Sequence, residues 1–511
     1  MTEATAAVRA GEGRAGRVGW LGRLGAPLLA VVVYLAMPAG AGHPARATAA
    51  IGVLMAVLWM TEALPLPATS LLPLALFPIA GVATMRQAAA PYAHPLIYLF
   101  MGGFLIALAM EKWGLHRRVA LHVILAVGTK PARLVGGFML ASALLSMWIS
   151  NTATTVMMLP IALATLRMVD AQATTPSDSG RNNLAVCLLL GLAYGASMGG
   201  IATPIGTPPN VIALGYLRDH LGMSISFARW TVTMTPLSAA LLFCAWLLLT
   251  KLLFPLSAVS IEGGREIIRR ELRALGPMSR GEWTVLVVFV LTALLWTLRA
   301  PLVEALWGSD PPAGVANLSD AGVAIIAGVS LFAIPIDAKR SVFALDWETA
   351  RRLPWGVLLL FGGGLSLAWA VGASGLDEWI ASAVAQAKGL PLLAIIVLTT
   401  LVVIFLTELT SNTATASTFT PLLGAAALGL GAAPAALLIP ATLAASCAFM
   451  MPVATPPNAI VFGSGRLRIS QMIKAGLWLN LLATALLILA SQTLFVWLFG
   501  RMAAGAGELS P

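Results

Sequence analysis

Two copies of Ser-Asn-Thr, Ser150-Asn151-Thr152 and Ser411-Asn412-Thr413, carry the chemistry of this sequence. Each lies in a Thr-rich apolar stretch, SMWISNTATTVMMLPIA and TELTSNTATASTFTPLL, with no Lys or Arg close by. Hydroxyls and amides are costly in hydrocarbon unless something binds them. One such patch alone is accounted for by Ser and Thr bonding back to their own helix carbonyls. Two matching patches point instead to one small ligand held between two halves of a membrane protein.

The matching extends beyond the triplets. Phe100-Met101-Gly102-Gly103-Phe104-Leu105 pairs with Phe361-Gly362-Gly363-Gly364-Leu365-Ser366, 261 positions on, and the triplets are also 261 apart. A third pair, Gly206-Thr207-Pro208-Pro209-Asn210 and Ala454-Thr455-Pro456-Pro457-Asn458, is offset by 248, so the first half holds 13 extra residues after its triplet. The polar stretch 170–183 (DAQATTPSDSGRNN) accounts for the surplus. Three motifs repeated in the same order make an internal duplication.

The elements that must position these residues are membrane helices. Hydrophobic residues make up 59% of the 511 and charged residues only 10%, against about 25% charged in soluble domains. Apolar stretches of spanning length recur at roughly 26–41, 47–63, 66–83, 96–112, 184–199, 230–254, 283–299, 320–336, 355–373, 434–451 and 476–498, about eleven in all. Two further segments, near 133–168 and 391–428, are too long for one span and carry a triplet mid-way. They read as re-entrant hairpins, permitted at membrane depth where protein or water covers the backbone. The expected fold is an all-α polytopic membrane protein of about eleven transmembrane helices plus two hairpins.

The expected organisation is a tail at 1–25, a first span at 26–46 and a first repeat at 47–256 with its hairpin at about 133–168. A connecting helix at 257–282, a second repeat at 283–498 with its hairpin at about 391–428, and a tail at 499–511 complete it. With the N-terminal tail inside, 24 of the 31 Lys and Arg fall on the cytoplasmic side and seven (Arg46, Arg86, Arg218, Arg229, Arg299, Lys388 and Arg501) outside. That bias satisfies the positive-inside rule and puts the C-terminus outside. The net charge of +10 is therefore topology, and no nucleic-acid partner is implied. Ala-, Gly- and Arg-rich usage points to a bacterial inner membrane. Five spans per repeat is odd, so the repeats are inverted, with the first hairpin on the cytoplasmic side and the second outside. Inverted repeats, broken helices and a midplane site are the signature of secondary transporters.

The Thr-Pro-Pro-Asn stretches supply the breaks. Proline removes a backbone donor and disfavours helix before it, so neither Gly199–Pro204 nor Pro452–Pro457 is regular helix. Unwound backbone offers carbonyls to a hard cation, while new helix N-termini attract anions.

The two triplets and the stretch Ser446-Cys447-Ala448-Phe449-Met450-Met451-Pro452-Val453-Ala454-Thr455-Pro456-Pro457-Asn458-Ala459-Ile460-Val461 resemble the divalent anion/sodium symporters, the INDY-like sodium-coupled dicarboxylate, citrate and sulfate carriers. That stretch satisfies the family's signature of Ser, Phe, Pro, a small residue, Asn and Val, and the resemblance covers about 47–498. It implies a homodimer with a scaffold domain and a transport domain that moves as an elevator. It further implies one substrate carboxylate near each triplet and Na⁺ beside each.

By that resemblance Ser146, Ser150, Asn151 and the Gly199 carbonyl match the first sodium site. Thr407, Thr410 (through its carbonyl), Asn412 and Ala454 match the second. Ser150, Asn151, Thr152, Gly200, Ser411, Asn412, Thr413, Thr455 and Pro456 would contact substrate. Ala454-Thr455-Pro456 aligns equally with Gly206-Thr207-Pro208 or Ala202-Thr203-Pro204, which leaves Gly199 and Gly200 less anchored than the triplets.

The residues favour cation coupling independently of the resemblance. The nearest basic residues in sequence are Arg133 and Arg167 for Asn151, and Lys388 for Asn412. A dianion bound without a positive partner faces a large desolvation penalty, which Na⁺ relieves. A dicarboxylate such as succinate, malate or fumarate suits two intact triplets; citrate, sulfate and a cation-independent exchanger are the alternatives. Glu408, an intramembrane carboxylate beside the second triplet, is a functional candidate by position. It could carry a proton, steer sodium or cap backbone within the hairpin; Glu62 and Glu111 sit at span ends. Cys187, Cys244 and Cys447 read as apolar fillers, and five His residues have no metal-site spacing. Without a nucleophile–base pair near either triplet an enzyme is disfavoured. Two separate hairpins disfavour a channel. No Walker motif or organic cofactor is expected, and the Arg-rich N-terminus has no clear cleavage site. In 257–282, Ile267, Ile268, Leu272 and Leu275 line one face of a helix at the cytoplasmic surface.

Overall fold

A computed structural model of the protein describes residues 3–128, 130–171, 179–256, 264–308, 310–386 and 391–495. Eight of the described helices are long and apolar enough to cross a membrane, among them His43–Thr61, Phe227–Leu253, Arg280–Trp307 and Ile469–Gln492. Shorter apolar helices stand where some full spans are expected. The stretch 66–83 breaks into Leu66–Thr69 and Leu72–Ile79, because Pro67 and Pro73 each start a helix and Pro78 interrupts the second. The 320–336 stretch is helical only over Asp320–Ala333. Its last residues form a short antiparallel pair, Pro335–Asp337 with Val342–Phe343. The 434–451 stretch ends as helix at Ala445. The first span is the later part of a longer helix, Glu3–Ala36.

Each apolar segment with a triplet is two helices joined by a bend. Pro131–Ser146 and Asn151–Ala171 form the first hairpin, Leu392–Leu406 and Asn412–Gly429 the second. Both arms of each hairpin pack on the helix that follows it, Ser179–Ile201 or Pro434–Ala445. Those helices are the first segments of the broken pair. After an unwound stretch the chain restarts as Pro208–Leu221 and as Pro456–Phe462. The restarts share one geometry: Thr207 (φ −144°) and Thr455 (φ −141°) are extended N-caps, each followed by two prolines. Proline is tolerated there because the first helical N–H has no partner within the helix.

The repeats meet in the core. Phe100 and Phe361, equivalent positions of the first paired motif, touch edge to face with centroids 4.9 Å apart at 82°. Gly102 lies against the backbone of Ala324, where an added Cβ would come 2.4 Å from the carbonyl carbon, and at Gly363 it would come 2.5 Å from the Ser70 carbonyl oxygen. Any larger residue would push these helices apart. Helix Gly264–Ala274 buries Ile268 and packs on Leu115–Val127, so its apolar face meets protein. Nearby, Arg118 binds Glu282 (Nε–Oε1 2.7 Å) and donates to the Gly276 carbonyl at 3.0 Å, tying the connecting segment to both flanking helices. Residues 172–178, within the expected polar loop, and the tail 499–511 lie outside the described residues.

Candidate functional site

The two hairpin tips are built alike. The Ser146 hydroxyl donates to Asn151 Oδ1, and the Thr407 hydroxyl, 261 positions on, stands 2.8 Å from Asn412 Oδ1. Ser146 and Thr407 are fully buried, Thr407 also lying 2.9 Å from the Ala445 carbonyl. Each Asn is thus oriented by a hydroxyl five residues earlier, across the hairpin bend, with lone-pair capacity left on its carbonyl oxygen. Ser150 Oγ accepts the Ala153 N–H at 3.2 Å. The Thr410 side chain is occupied within its hairpin, by the Leu406 carbonyl at 3.0 Å and Thr415 Oγ1 at 2.7 Å.

The breaks are held by matching asparagines. Asn210 Nδ2 donates to the carbonyls of Gly200 (3.0 Å) and Thr203 (2.8 Å); Asn458 Nδ2 donates to those of Ala448 (3.1 Å) and Met451 (3.0 Å). All three pairs of equivalents keep the 248 offset. The open alignment therefore resolves: Ala454-Thr455-Pro456 is the counterpart of Gly206-Thr207-Pro208. Gly200 sits behind the first tip, where a Cβ would come 2.8 Å from Asn151 Oδ1 and 3.0 Å from the Gly206 carbonyl oxygen. At Gly199 a Cβ would come 2.2 Å from the Ala143 carbonyl oxygen.

Between tips and breaks lies a cavity of about 750 Å³. Both complete triplets line it, with Gly206, Thr207 and Pro208 from one break and Ala454, Thr455 and Pro456 from the other. Ser146, Thr407 and Thr410 stand behind this wall, as do Gly199 and Gly200. Four helices begin at the cavity, at Asn151, Pro208, Asn412 and Pro456, each presenting the positive end of its dipole. Among the described residues no Lys or Arg lines it, and Glu62 is its one charged lining residue. Glu62 caps helix His43–Thr61 in the left-handed conformation, φ 48°. Its place at a span end was readable, its place in the cavity wall was not. Phe100 and Phe104, visible in sequence only as a repeated motif, form the apolar side.

Glu408 takes a role the sequence leaves open. Only 3% exposed, it accepts the backbone N–H groups of Phe449 (2.7 Å), Met450 (2.8 Å) and Met451 (2.9 Å), and Asn480 Nδ2 at 2.7 Å. It caps backbone, but that of the opposing break and not that of its own hairpin. The equivalent link in the first half is the Thr203 hydroxyl donating to the Met147 carbonyl. The described residues include no His, Cys, Asp and Glu cluster able to hold a metal; the oxygen donors here are hydroxyls, amides and carbonyls.

Residues 20–500 match the family described as the sodium:sulfate symporter transmembrane region. The chain belongs to that family. Among its relatives, the sodium-dependent dicarboxylate transporter SdcS of Staphylococcus saprophyticus is 40% identical over 470 residues, covering 91% of this chain and 89% of the relative. The SdcS protein of Staphylococcus aureus strain USA300 is 39% identical over 442 residues, 86% and 84% of the two chains. The fold is similar to the crystal structure of the Alcanivorax borkumensis YdaH transporter (TM-score 0.55, 18% identity, 90% of this chain and 99% of that one). It is also similar to Neisseria gonorrhoeae MtrF (TM-score 0.52, 15% identity, 93% and 97%). This symporter-family member is thus a multi-pass membrane transport protein and not an enzyme.

Proposed function

We propose that the protein imports a C4-dicarboxylate such as succinate, malate or fumarate together with Na⁺. The observation that carries this reading is the single cavity lined by both triplets and both Thr-Pro-Pro turns, with four helix N-termini and, among the described residues, no basic side chain in its wall. Two equivalent polar clamps suit the two carboxylates of one dianion. Helix dipoles alone leave a dianion short of charge. The hydroxyl-oriented Asn151 and Asn412 oxygens, with neighbouring carbonyls, offer Na⁺ the hard oxygen donors it takes, so the ion is bound as co-substrate beside each clamp. The names of the SdcS relatives, sodium-dependent dicarboxylate transporters, agree with this choice. In this reading Ser146, Ser150, Asn151 and Gly199 serve one sodium ion and Thr407, Thr410, Asn412 and Ala454 the other.

The hairpins and broken helices would move together as the transport body of an elevator, in a homodimer with the N-terminus cytoplasmic and the C-terminus outside, in a bacterial inner membrane. The test is uptake of labelled succinate into proteoliposomes under Na⁺, Li⁺ or K⁺, with malate, fumarate, citrate and sulfate as competitors. Sodium-dependent uptake blocked by malate and fumarate is the expected result. Robust succinate counterflow without sodium would make the protein a cation-independent exchanger. Block by sulfate or citrate alone would change the substrate.

A further inference from the structure

A second cavity, of about 250 Å³, adjoins the first at its cytoplasmic-facing triplet: Phe104, Ser150 and Pro354 line both. Its charged lining residues are Glu111 and Arg352, and among the described residues Arg352 is the only Lys or Arg in the wall of either cavity. Both stand at the end of helix Pro95–Trp113 that carries Lys112, the side the charge bias assigns to the cytoplasm.

The backbone around Arg352 is pinned. Lys112 Nζ lies 2.8 Å from Asp346 Oδ2 and donates to the Phe343 carbonyl at 3.0 Å, and Trp113 Nε1 donates to the Ala344 carbonyl at 2.7 Å. Ala350 and Leu353, on either side of Arg352, are buried. The side chain is far less constrained. Arg352 Nη2 is 3.5 Å from Glu111 Oε1, and the two side chains are 56% and 40% exposed. A long, half-exposed ion pair contributes little, so Glu111 is a partner that another carboxylate can displace. The guanidinium fork fits a carboxylate with two parallel hydrogen bonds.

We propose that this small cavity is a vestibular subsite for the dicarboxylate, in which Arg352 exchanges Glu111 for one substrate carboxylate. The dianion pauses there between the Lys112 side and the central cavity, whose own charged liner, Glu62, repels it. The subsite rests on the dicarboxylate reading above.

Succinate kinetics measured separately from each face, in right-side-out and inside-out membrane vesicles, test it. Arg352→Gln should lower kcat/KM about five-fold from the Arg352 face, the scale of a half-exposed ion pair, seen there as a raised KM. Detailed balance then lowers kcat/KM equally from the opposite face, seen there as a lowered kcat with KM within about two-fold of wild type. Arg352→Lys should fall between, and high salt should shrink the difference. Glu111→Gln, which breaks the same pair but frees the guanidinium, should lower KM from that face. If Arg352→Gln and Glu111→Gln shift KM the same way, the pair is a structural tie. That result, or an unchanged KM in Arg352→Gln, overturns the subsite. Wild-type vesicles that take up no succinate from either face sink the dicarboxylate reading and the subsite with it.

Discussion

Glu408→Gln separates an anchoring carboxylate from a proton-carrying one. Oε1 accepts from Phe449, Met450 and Asn480, and Oε2 accepts from Met451. Gln keeps the shape but has one acceptor oxygen and an NH₂ group. With that oxygen in the place of Oε1, three bonds survive and the Met451 N–H faces another donor. A stranded buried donor costs about 1–3 kcal/mol, and the three survivors lose the extra strength of a charged acceptor. Ala would strand all four donors, roughly 4–12 kcal/mol by the same count, and would not fold informatively. Ala454 and Thr455 follow Met451 by three and four residues, so a slack break moves the wall of the second clamp. Glu408→Gln should therefore lower the thermal unfolding midpoint of the purified protein and raise the sodium concentration for half-maximal succinate uptake. Asn480→Ala should do the same more weakly, and the double variant should cost less than the sum of the two singles. An unchanged midpoint and sodium dependence, with the pH dependence of uptake abolished, would refute the anchor and assign Glu408 to proton transfer.

Asn151→Ala and Asn412→Ala should each abolish uptake in folded, membrane-inserted protein; normal transport by either rules out a two-clamp site. Ser146→Ala and Thr407→Ala, which release the asparagines without altering the triplets, should raise the sodium requirement more than they reduce uptake at saturating sodium. By linkage, succinate should tighten sodium binding by the factor that sodium tightens succinate. A cysteine at Gly314 should label from outside and one at Ser177 from the cytoplasm; the reverse pattern would invert the assigned topology. The Asp346 carboxyl is held down to about 2, chiefly by its bond to Lys112. Its stabilising tie is thus complete above the unfolded value near 3.8 and lost as pH falls toward 2. Asp346→Asn should flatten that part of the unfolding profile, as followed by limited proteolysis between pH 5 and 2.

The duplication was readable because it is written in local motifs at constant offsets, and those offsets hold in space. Ser146 meets Asn151 as Thr407 meets Asn412, and Asn210 grips its break as Asn458 does. The alignment of the breaks was not readable: both Thr-Pro pairs of the first half fit by eye, and only the asparagine-to-carbonyl bonds distinguish them. Composition also overstates helix length. The stretch 66–83 is apolar enough to span, yet three prolines cut it. The partners of Glu408 lie 41–43 and 72 residues along the chain, a separation over which periodicity carries no information. Glu62 and Arg352 escaped for a related reason. Each looks like an ordinary charge at a span end, and only tertiary packing turns it toward a cavity.

Among the described residues, the walls contributed by the hairpins and broken helices include no Lys, Arg, Asp or Glu; the one acidic liner of the central cavity belongs to the end of helix His43–Thr61. Helix dipoles attract an anion without adding net charge to the elements that bear them. If those elements carry the cargo across, their binding surfaces add no charge to the empty return stroke; the charge that travels with the second hairpin is the Glu408 carboxylate, buried against Phe449–Met451. One formal charge crossing 100 mV would cost or gain about 2.3 kcal/mol. The membrane voltage then acts on Glu408 in both strokes and on the cargo in the loaded one, and the sign and size of the cargo's share follow from how many sodium ions accompany each dianion. Two would leave the cargo without net charge, and a third would let the resting potential pull the substrate in.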